Sequence, residues 1–278
     1  MASREEWIGR TGQEWARRSD ALDVLLGPAG AAGLKALNAG AGQHVIDLGC
    51  GGGASTEMLS DTVGADGHVT AVDVSPDLLA KAKARLDGRE NVTLIEADAQ
   101  THAFAPGAAD ALYSRFGAMF FDDPPAAMIN LRNALKADAD VVLVAWRDIR
   151  LNHWASVPMT FVADAMPGTP LMGAPGPGPF AWSDPETFTP LLEDAGFHGV
   201  YATPYDFLAE LSDGDDPDPL ERGISFMMRI GPLASRLKGA SEKSKDEARA
   251  FLRRRLARYV MDDAIKVQAS AWIIRAQA

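Results

Sequence analysis

The apolar positions of this chain change period several times, and each change marks an element. Up to about residue 40 they fall three or four apart: Trp7 and Ile8, Trp15, then Leu22, Leu25 and Leu26, then Ala31, Leu34 and Leu37. That spacing puts them on one side of a 3.6-residue helix, and Gly27-Pro28 interrupts it, which predicts two or three short helices. At Val45 the period shortens. VIDL (45–48) is a compact apolar run with β-branched residues, bounded by glycines, and predicts a buried strand with a helix from about Ala54 to Ser60. GADG (64–67) turns the chain into a second strand, HVTAVDV. Ser75 then offers an N-cap with Pro76 at the first helical position, and LLAKAKARL supplies the helical face. VTLIEAD (92–98), DALYSR (110–115) and DVVLVAW (140–146) predict three further strands, with a helix from Pro124 to Leu135 behind the Asp122-Asp123 cap. Strands and helices alternating at this spacing make parallel βαβ units with right-handed crossovers, so the first half is a doubly wound α/β sheet.

After Trp146 the rhythm breaks. A helix around HWASVPMTFVADAM leads into PGTPLMGAPGPGPF, which holds too much proline and glycine for a regular element. Placed after the fifth strand on the ligand-binding edge, residues 148–183 are expected to form an insertion that covers a site. The sheet resumes with a helix over 184–195, ended by Gly196, and a strand near 198–207. ELSDGDDPDP carries five acids and no base and is expected to be a solvated loop. Helices follow near 220–232 and 241–260, the second with Phe251, Leu252, Leu256, Tyr259 and Val260 on one face and Arg253, Arg254 and Arg255 in solvent. KVQASAWIIRA is the last strand, the seventh. The expected organisation is one domain: a helical cap over 1–40, a ligand-binding core over 41–147, the insertion over 148–183, and 184–278 completing the sheet with a helical addition.

Composition narrows the partners. The 278 residues are 47% hydrophobic and 23% charged, enough for a sizeable core. A formal net charge of −11 repels nucleic acid and anionic membrane surfaces, so the expected partner is a small molecule, with no nucleic acid and no membrane insertion. Cys50 is the only cysteine, which excludes an internal disulfide and a cysteine-built zinc site. MASREEWIGR is charged from the start and has no apolar h-region, so a cytoplasmic protein is expected.

The candidate chemistry sits in HVIDLGCGGGAST (44–56). Glycines at 49, 51 and 53 follow a strand and precede a helix, as a dinucleotide fingerprint requires. Bare backbone and a helix N-terminus would suit any adenosine cofactor. Asp47, two residues before Gly49, would repel a pyrophosphate but favour S-adenosylmethionine, which carries an ammonium and a sulfonium and no phosphate. Asp73, at the end of the second strand, can accept both ribose hydroxyls.

With these residues in place, the sequence resembles the class I S-adenosylmethionine-dependent methyltransferases. VIDLGCGGG is similar to their first motif, VTAVDVS to their ribose-binding strand end, IEADAQ to the segment whose acid meets adenine, and DALYSRFGAMFF to the strand and loop at the methionine end. The resemblance covers roughly residues 40–147 and points to the small-molecule branch typified by ubiquinone and menaquinone methyltransferases. It implies a Rossmann-like, seven-stranded, mostly parallel sheet with an antiparallel last strand, and S-adenosyl-L-homocysteine as product. By position it implies that Gly49, Cys50 and Gly51 contact the methionine part, Asp73 holds ribose with Val74 beside adenine, and Asp98 accepts from the adenine amino group with Ala99 next to it. It also implies that Ser114 and Arg115 line the carboxylate and ammonium region through backbone groups and that Phe116 faces the methyl, with Trp7, Trp15 and Arg18 closing over the ligand. ADAD (137–140) departs from the family's Pro-Gly-Gly turn and is expected to alter a hairpin remote from the site.

Methyl transfer needs collinear positioning of acceptor, methyl and sulfur, and a base only where the acceptor must lose a proton. His44, His68, His102 and His198 fall at strand ends and turns; His153, just past the fifth strand, is the best-placed candidate base. Asp123-Pro124-Pro125 lies too late for the signature of nucleic-acid amino-methyltransferases and suits a helix cap, and no metal is expected. The alternatives are a protein that binds the same ligand without transferring methyl groups, and a nicotinamide oxidoreductase.

Overall fold

The computed structural model describes residues 4–165 and 176–278. Among these the elements run α1 (Arg4–Ile8), α2 (Arg10–Arg17), α3 (Ser19–Leu37), β1 (His44–Leu48), α4 (Ala54–Val63), β2 (His68–Asp73), α5 (Pro76–Arg85), β3 (Val92–Glu96), β4 (Ala109–Arg115), α6 (Pro124–Ala134) and β5 (Leu135–Trp146). They continue with α7 (His153–Ala165), α8 (Pro185–Asp194), β6 (His198–Leu211), α9 (Pro219–Arg229), α10 (Pro232–Arg236), α11 (Glu242–Leu256), β7 (Val260–Met261) and β8 (Ala264–Gln277).

Seven strands lie in the order β3-β2-β1-β4-β5-β8-β6, and the two-residue β7 pairs beside β8. Strands β1 to β5 are mutually parallel, and β8 runs antiparallel to both β5 and β6. The central strands are mostly apolar, with Val45, Ile46, Leu112 and Val141 to Val144 all buried, because helices cover the sheet. Helix α3 packs across β4, β5, β8 and β6, α4 lies on β1 and β2 between α3 and α5, and α5 packs on β2 and β3; α6 and α8 form a second group against β5 and β6. Helices α7, α9, α10 and α11 form a third group beside β8. The strand order reverses between β1 and β4, which opens a crevice at the carboxyl ends of these strands.

The local signals explain the element starts. Ser75 Oγ accepts from the Leu78 amide at 3.4 Å with Pro76 in the first turn of α5, and Asp123 Oδ1 accepts from Ala126 at 3.0 Å at the start of α6. Three expectations need correction. Gly27-Pro28 does not end a helix: α3 runs through it for 19 residues. A proline inside a helix costs about 3 kcal/mol, and burial of Leu22, Leu25, Leu26, Ala29 and Gly33 on the sheet offsets it. ADAD is not a hairpin turn but the bulged start of β5, where Asp138 takes φ +60° and donates its amide to the Ala278 carbonyl at 2.8 Å. In ELSDGDDPDP, Asp213 is only 12% exposed and accepts from Arg18 Nε (3.2 Å), Ser225 Oγ (3.0 Å) and Arg229 Nη1 (3.0 Å). Burial raises its pKa, but these donors prevail and hold it below the usual carboxylate value. Within the insertion, residues 166–175 lie outside the described residues, while 176–183 turn back onto the core through the Gly178 amide, which donates to the Met119 carbonyl at 3.0 Å.

Candidate active site

The loop after β1 is shaped by close approach. Gly49 takes φ +65°, and a Cβ there would lie 2.9 Å from Gly117 Cα, so no side chain fits. Its amide and that of Cys50 both donate to the Val72 carbonyl, at 2.9 and 3.2 Å, and the Gly51 amide donates to Asp73 Oδ2 at 2.8 Å. A phosphate cradle needs such amides free and aimed at the ligand. Here all three are already taken inside the protein.

Asp47 is fully buried beneath this loop and is not part of the pocket wall, contrary to expectation. Its Oδ2 accepts from Ser55 Oγ (2.8 Å) and Thr56 Oγ1 (2.6 Å) in the first turn of α4, and its Oδ1 has no partner. Burial lifts its pKa to about 6, against the two hydroxyls, which lower it. Repulsion by Asp47 is therefore not what disfavours a pyrophosphate; the occupied amides are.

Asp73, at the end of β2, accepts the Gly51 amide on one oxygen and the Ser75 amide on the other, at 2.8 Å each. Burial raises its pKa while these amides pull it down. Past β3, Asp98 accepts from the Gln100 amide at 2.9 Å, and its second oxygen lies 3.7 Å from Arg4 Nε. At the end of β4, Arg115 donates from Nη2 to Asp23 Oδ1 at 2.8 Å. Phe116 follows with φ +61°, an uncommon conformation for a non-glycine residue, and its ring stacks on Trp146 at 4.2 Å between centroids. Ser114 is not among the residues that line the cavity; its side chain is fully buried and donates to the Leu48 carbonyl at 2.9 Å, tying β4 to β1.

These strand ends meet in one open-mouthed cavity of about 1080 Å³, counted out to solvent. Gly49, Cys50, Gly51, Asp73, Val74, Asp98, Ala99, Arg115 and Phe116 all line it. The N-terminal helices add Arg4, Trp7, Trp15, Ser19, Leu22, Asp23 and Leu26 to the wall. Trp7 stands edge-on to Trp15 (4.9 Å) and to Phe120 (5.1 Å), and its indole nitrogen has no partner.

A family model described as a methyltransferase domain matches residues 45–138, the segment from β1 into β5. Over this segment the chain is similar to methyltransferase domains. Over 163 residues the chain is 30% identical to phosphoethanolamine N-methyltransferase 1 of Triticum aestivum, covering 58% of this chain and 30% of that one, so it spans under a third of that relative's length. Over 175 residues it is 25% identical to a demethylmenaquinone methyltransferase of Staphylococcus epidermidis, covering 60% of this chain and 73% of that one. Among solved structures, Haemonchus contortus phosphoethanolamine N-methyltransferase 2 in complex with S-adenosyl-L-methionine superposes with a TM-score of 0.59 at 17% identity, over 99% of this chain and 60% of that one. The YcgJ protein of Bacillus subtilis gives 0.59 at 15% identity, over 90% and 98%. Both share the fold.

Two expected residues stand away from the pocket. Arg18 turns outward to Glu14 (2.5 Å) and Asp213 (3.2 Å), because α2 ends there and its last side chains meet the loop after β6. His153 opens α7 and hydrogen-bonds the Tyr259 hydroxyl at 3.3 Å; burial and the nearby Arg258 charge lower its pKa. It is not among the residues that line the cavity. Among the described residues the wall holds no histidine, tyrosine or lysine, and no three metal-ligating side chains gather anywhere. Sequence reasoning missed Ser19, Leu22, Asp23 and Leu26, although with Trp15 they recur every three or four positions and face the site together. It also missed Arg4, Gln100, Phe120, Phe121 and Asp122, which no periodic signal marks.

Proposed function

We propose that the chain transfers the methyl group of S-adenosyl-L-methionine to a small-molecule acceptor, with S-adenosyl-L-homocysteine as product. The observation that carries this reading is the pocket floor, where a glycine loop whose amides are internally bonded meets carboxylates at two successive strand ends, Asp73 and Asp98. Such a floor accepts hydrogen bonds rather than donating them, which suits a cationic nucleoside better than a phosphorylated one. Asp73 takes the ribose hydroxyls, Asp98 accepts from the adenine amino group, and Val74 and Ala99 flank the ring. Gly49 to Gly51 lie along the amino-acid part, Phe116 faces the transferred methyl, and Trp7 and Trp15 cover the site.

The bound sulfonium would supply an electrophilic methyl, and what remains for the chain is to hold the acceptor in line and exclude water. Residues 1–40 act as a cap, and the insertion over 148–183 closes the acceptor side. For its described part this is supported by the Gly178 anchor and by Phe180 stacked on Trp154 at 5.8 Å. The acceptor remains of the small-molecule class that the names of the similar phosphoethanolamine and demethylmenaquinone enzymes represent. Among the described residues no helix is long and apolar enough to cross a membrane, and we place the protein in the cytoplasm.

Titration calorimetry with S-adenosylmethionine and S-adenosylhomocysteine tests the reading, since Asp73→Ala removes charged acceptors and is expected to weaken both by about 10- to 100-fold. Wild-type protein that binds neither ligand, or Asp73→Ala protein with undiminished affinity, would overturn it.

A further inference from the structure

The first two helices lie over the pocket with little apolar packing to keep them there. Among the described residues α1 buries no side chain and α2 buries only Gly12 and Ala16. Gly12 rests on the start of α5, where a Cβ on it would lie 2.3 Å from Ser75 Oγ. The ion pairs of α1 with the rest of the fold, Arg4 with Asp98 at 3.7 Å and Glu6 with Lys238 at 3.9 Å, are long and each has a half-exposed cation, so they contribute little.

The far end of α2 is held differently. Arg18 is the single non-helical residue between α2 and α3, with φ −122° and ψ 24°. Trp15 before it and Ser19 after it line the pocket, whereas the Arg18 side chain points away from it. Its guanidinium, 14% exposed, donates from Nε to Asp213 Oδ2 at 3.2 Å, and from Nη1 to the Glu14 carboxylate (2.5 Å) and the Glu14 carbonyl (3.3 Å) one turn back in α2. Asp213 stands two residues past β6 and is itself fixed: its amide donates to the Arg222 carbonyl at 3.2 Å, and Ser225 and Arg229 of α9 donate to the same Oδ2. A carboxylate this sheltered is costly to deprive of a donor, because what is left is a desolvated charge short of a partner. The Arg18–Asp213 pair is thus a firmer polar tie than those of α1, and it sits at the joint about which α1 and α2 would swing.

Resting on the reading above, we propose that Asp213 is a positioning residue for the cap: through Arg18 it clamps the joint between α2 and α3 and so keeps Trp15, with Trp7 against it, over the bound nucleoside. Entry and exit of the ligand then pass through release of this joint. The helical addition after β6 shares the clamp through Ser225 and Arg229, so it governs a pocket whose wall it does not enter.

The test uses the full chain and two readouts. In ligand-free protein, Asp213→Asn and Arg18→Gln are each expected to speed hydrogen exchange in α1 and α2 by about 10-fold, while β1, β4 and β5 exchange as in wild type, which also shows that the variants are folded. In stopped flow, followed by tryptophan fluorescence, both substitutions are expected to speed S-adenosylhomocysteine dissociation by about 10-fold. The double variant is no faster than either single one, because both break the same bond, and Asp213→Glu falls between wild type and Asp213→Asn. A wild-type dissociation rate in Arg18→Gln, effects that multiply in the double variant, or exchange raised equally across the whole fold overturns the clamp while leaving the proposed methyltransferase intact. Wild-type protein that binds no S-adenosylhomocysteine overturns the proposed function, and exchange in α1 and α2 then decides the clamp by itself.

Discussion

The Asp47 carboxyl is enclosed under the glycine loop with two hydroxyls on one oxygen and nothing on the other. Its pKa in the fold, about 6, exceeds the unfolded value near 3.8, so the folded state holds the proton more tightly. The group's contribution to stability is therefore full below pH 3.8 and is lost as pH rises through 6. Asp47→Asn keeps an oxygen for Ser55 and Thr56 but removes the ionisation. Its stability relative to wild type is expected to be highest at pH 7 and to fall as the pH drops from 6 to 4, by up to about 1.4 kcal/mol per pH unit. Urea unfolding of both proteins at several pH values checks this, and a pH-independent difference would contradict it. At the same scale, His153 bonds Tyr259 and not the pocket. His153→Ala should leave kcat/KM, measured by S-adenosylhomocysteine release, and its pH profile unaltered.

Helix α3 is the element on which the site depends. Read locally, Gly27-Pro28 breaks it; in the fold it continues, because the strip from Leu22 to Gly33 is pressed against the sheet. The closeness of that packing can be measured. A Cβ on Gly33 would lie 2.6 Å from Val144 Cγ2 and 3.1 Å from the Tyr113 ring, both on central strands that cannot yield. Gly33→Ala is expected to lower stability by about 1–3 kcal/mol through overpacking, and to weaken S-adenosylhomocysteine binding as α3 shifts Leu22, Asp23 and Leu26 in the pocket wall. Thermal unfolding and calorimetry on one preparation would show the two losses together; an unchanged Tm would argue against the close contact. The strand and helix periods of residues 44–134 were legible because local burial on a covered parallel sheet leaves a plain pattern. The bulge at Asp138 was not, since it depends on Ala278 at the far end of the chain.

At the scale of the whole molecule, the described residues that line the pocket run from Arg4 to Asp122, with the helical cap facing four strand ends. A ligand seated there ties the cap to the sheet. S-adenosylhomocysteine at 100 times its Kd is expected to stabilise the fold by about 2.7 kcal/mol, and to slow hydrogen exchange in α1 and α2, which hold few buried side chains of their own. Exchange in these helices that ignores the ligand would separate the cap from the site.

The sequence by itself determined the order of strands and helices, the glycine loop, and the strand-end acids Asp73 and Asp98, because each depends on period, turn chemistry or position at an element's end. It also placed Asp47, but not what that residue faces. Only the tertiary structure decided that Asp47 and Ser114 turn inward, that Arg18 and His153 turn away, and that Asp23 reaches Arg115 across 92 positions. A side chain's direction at a strand end is set by what packs against it, and those neighbours come from distant segments that no local pattern records.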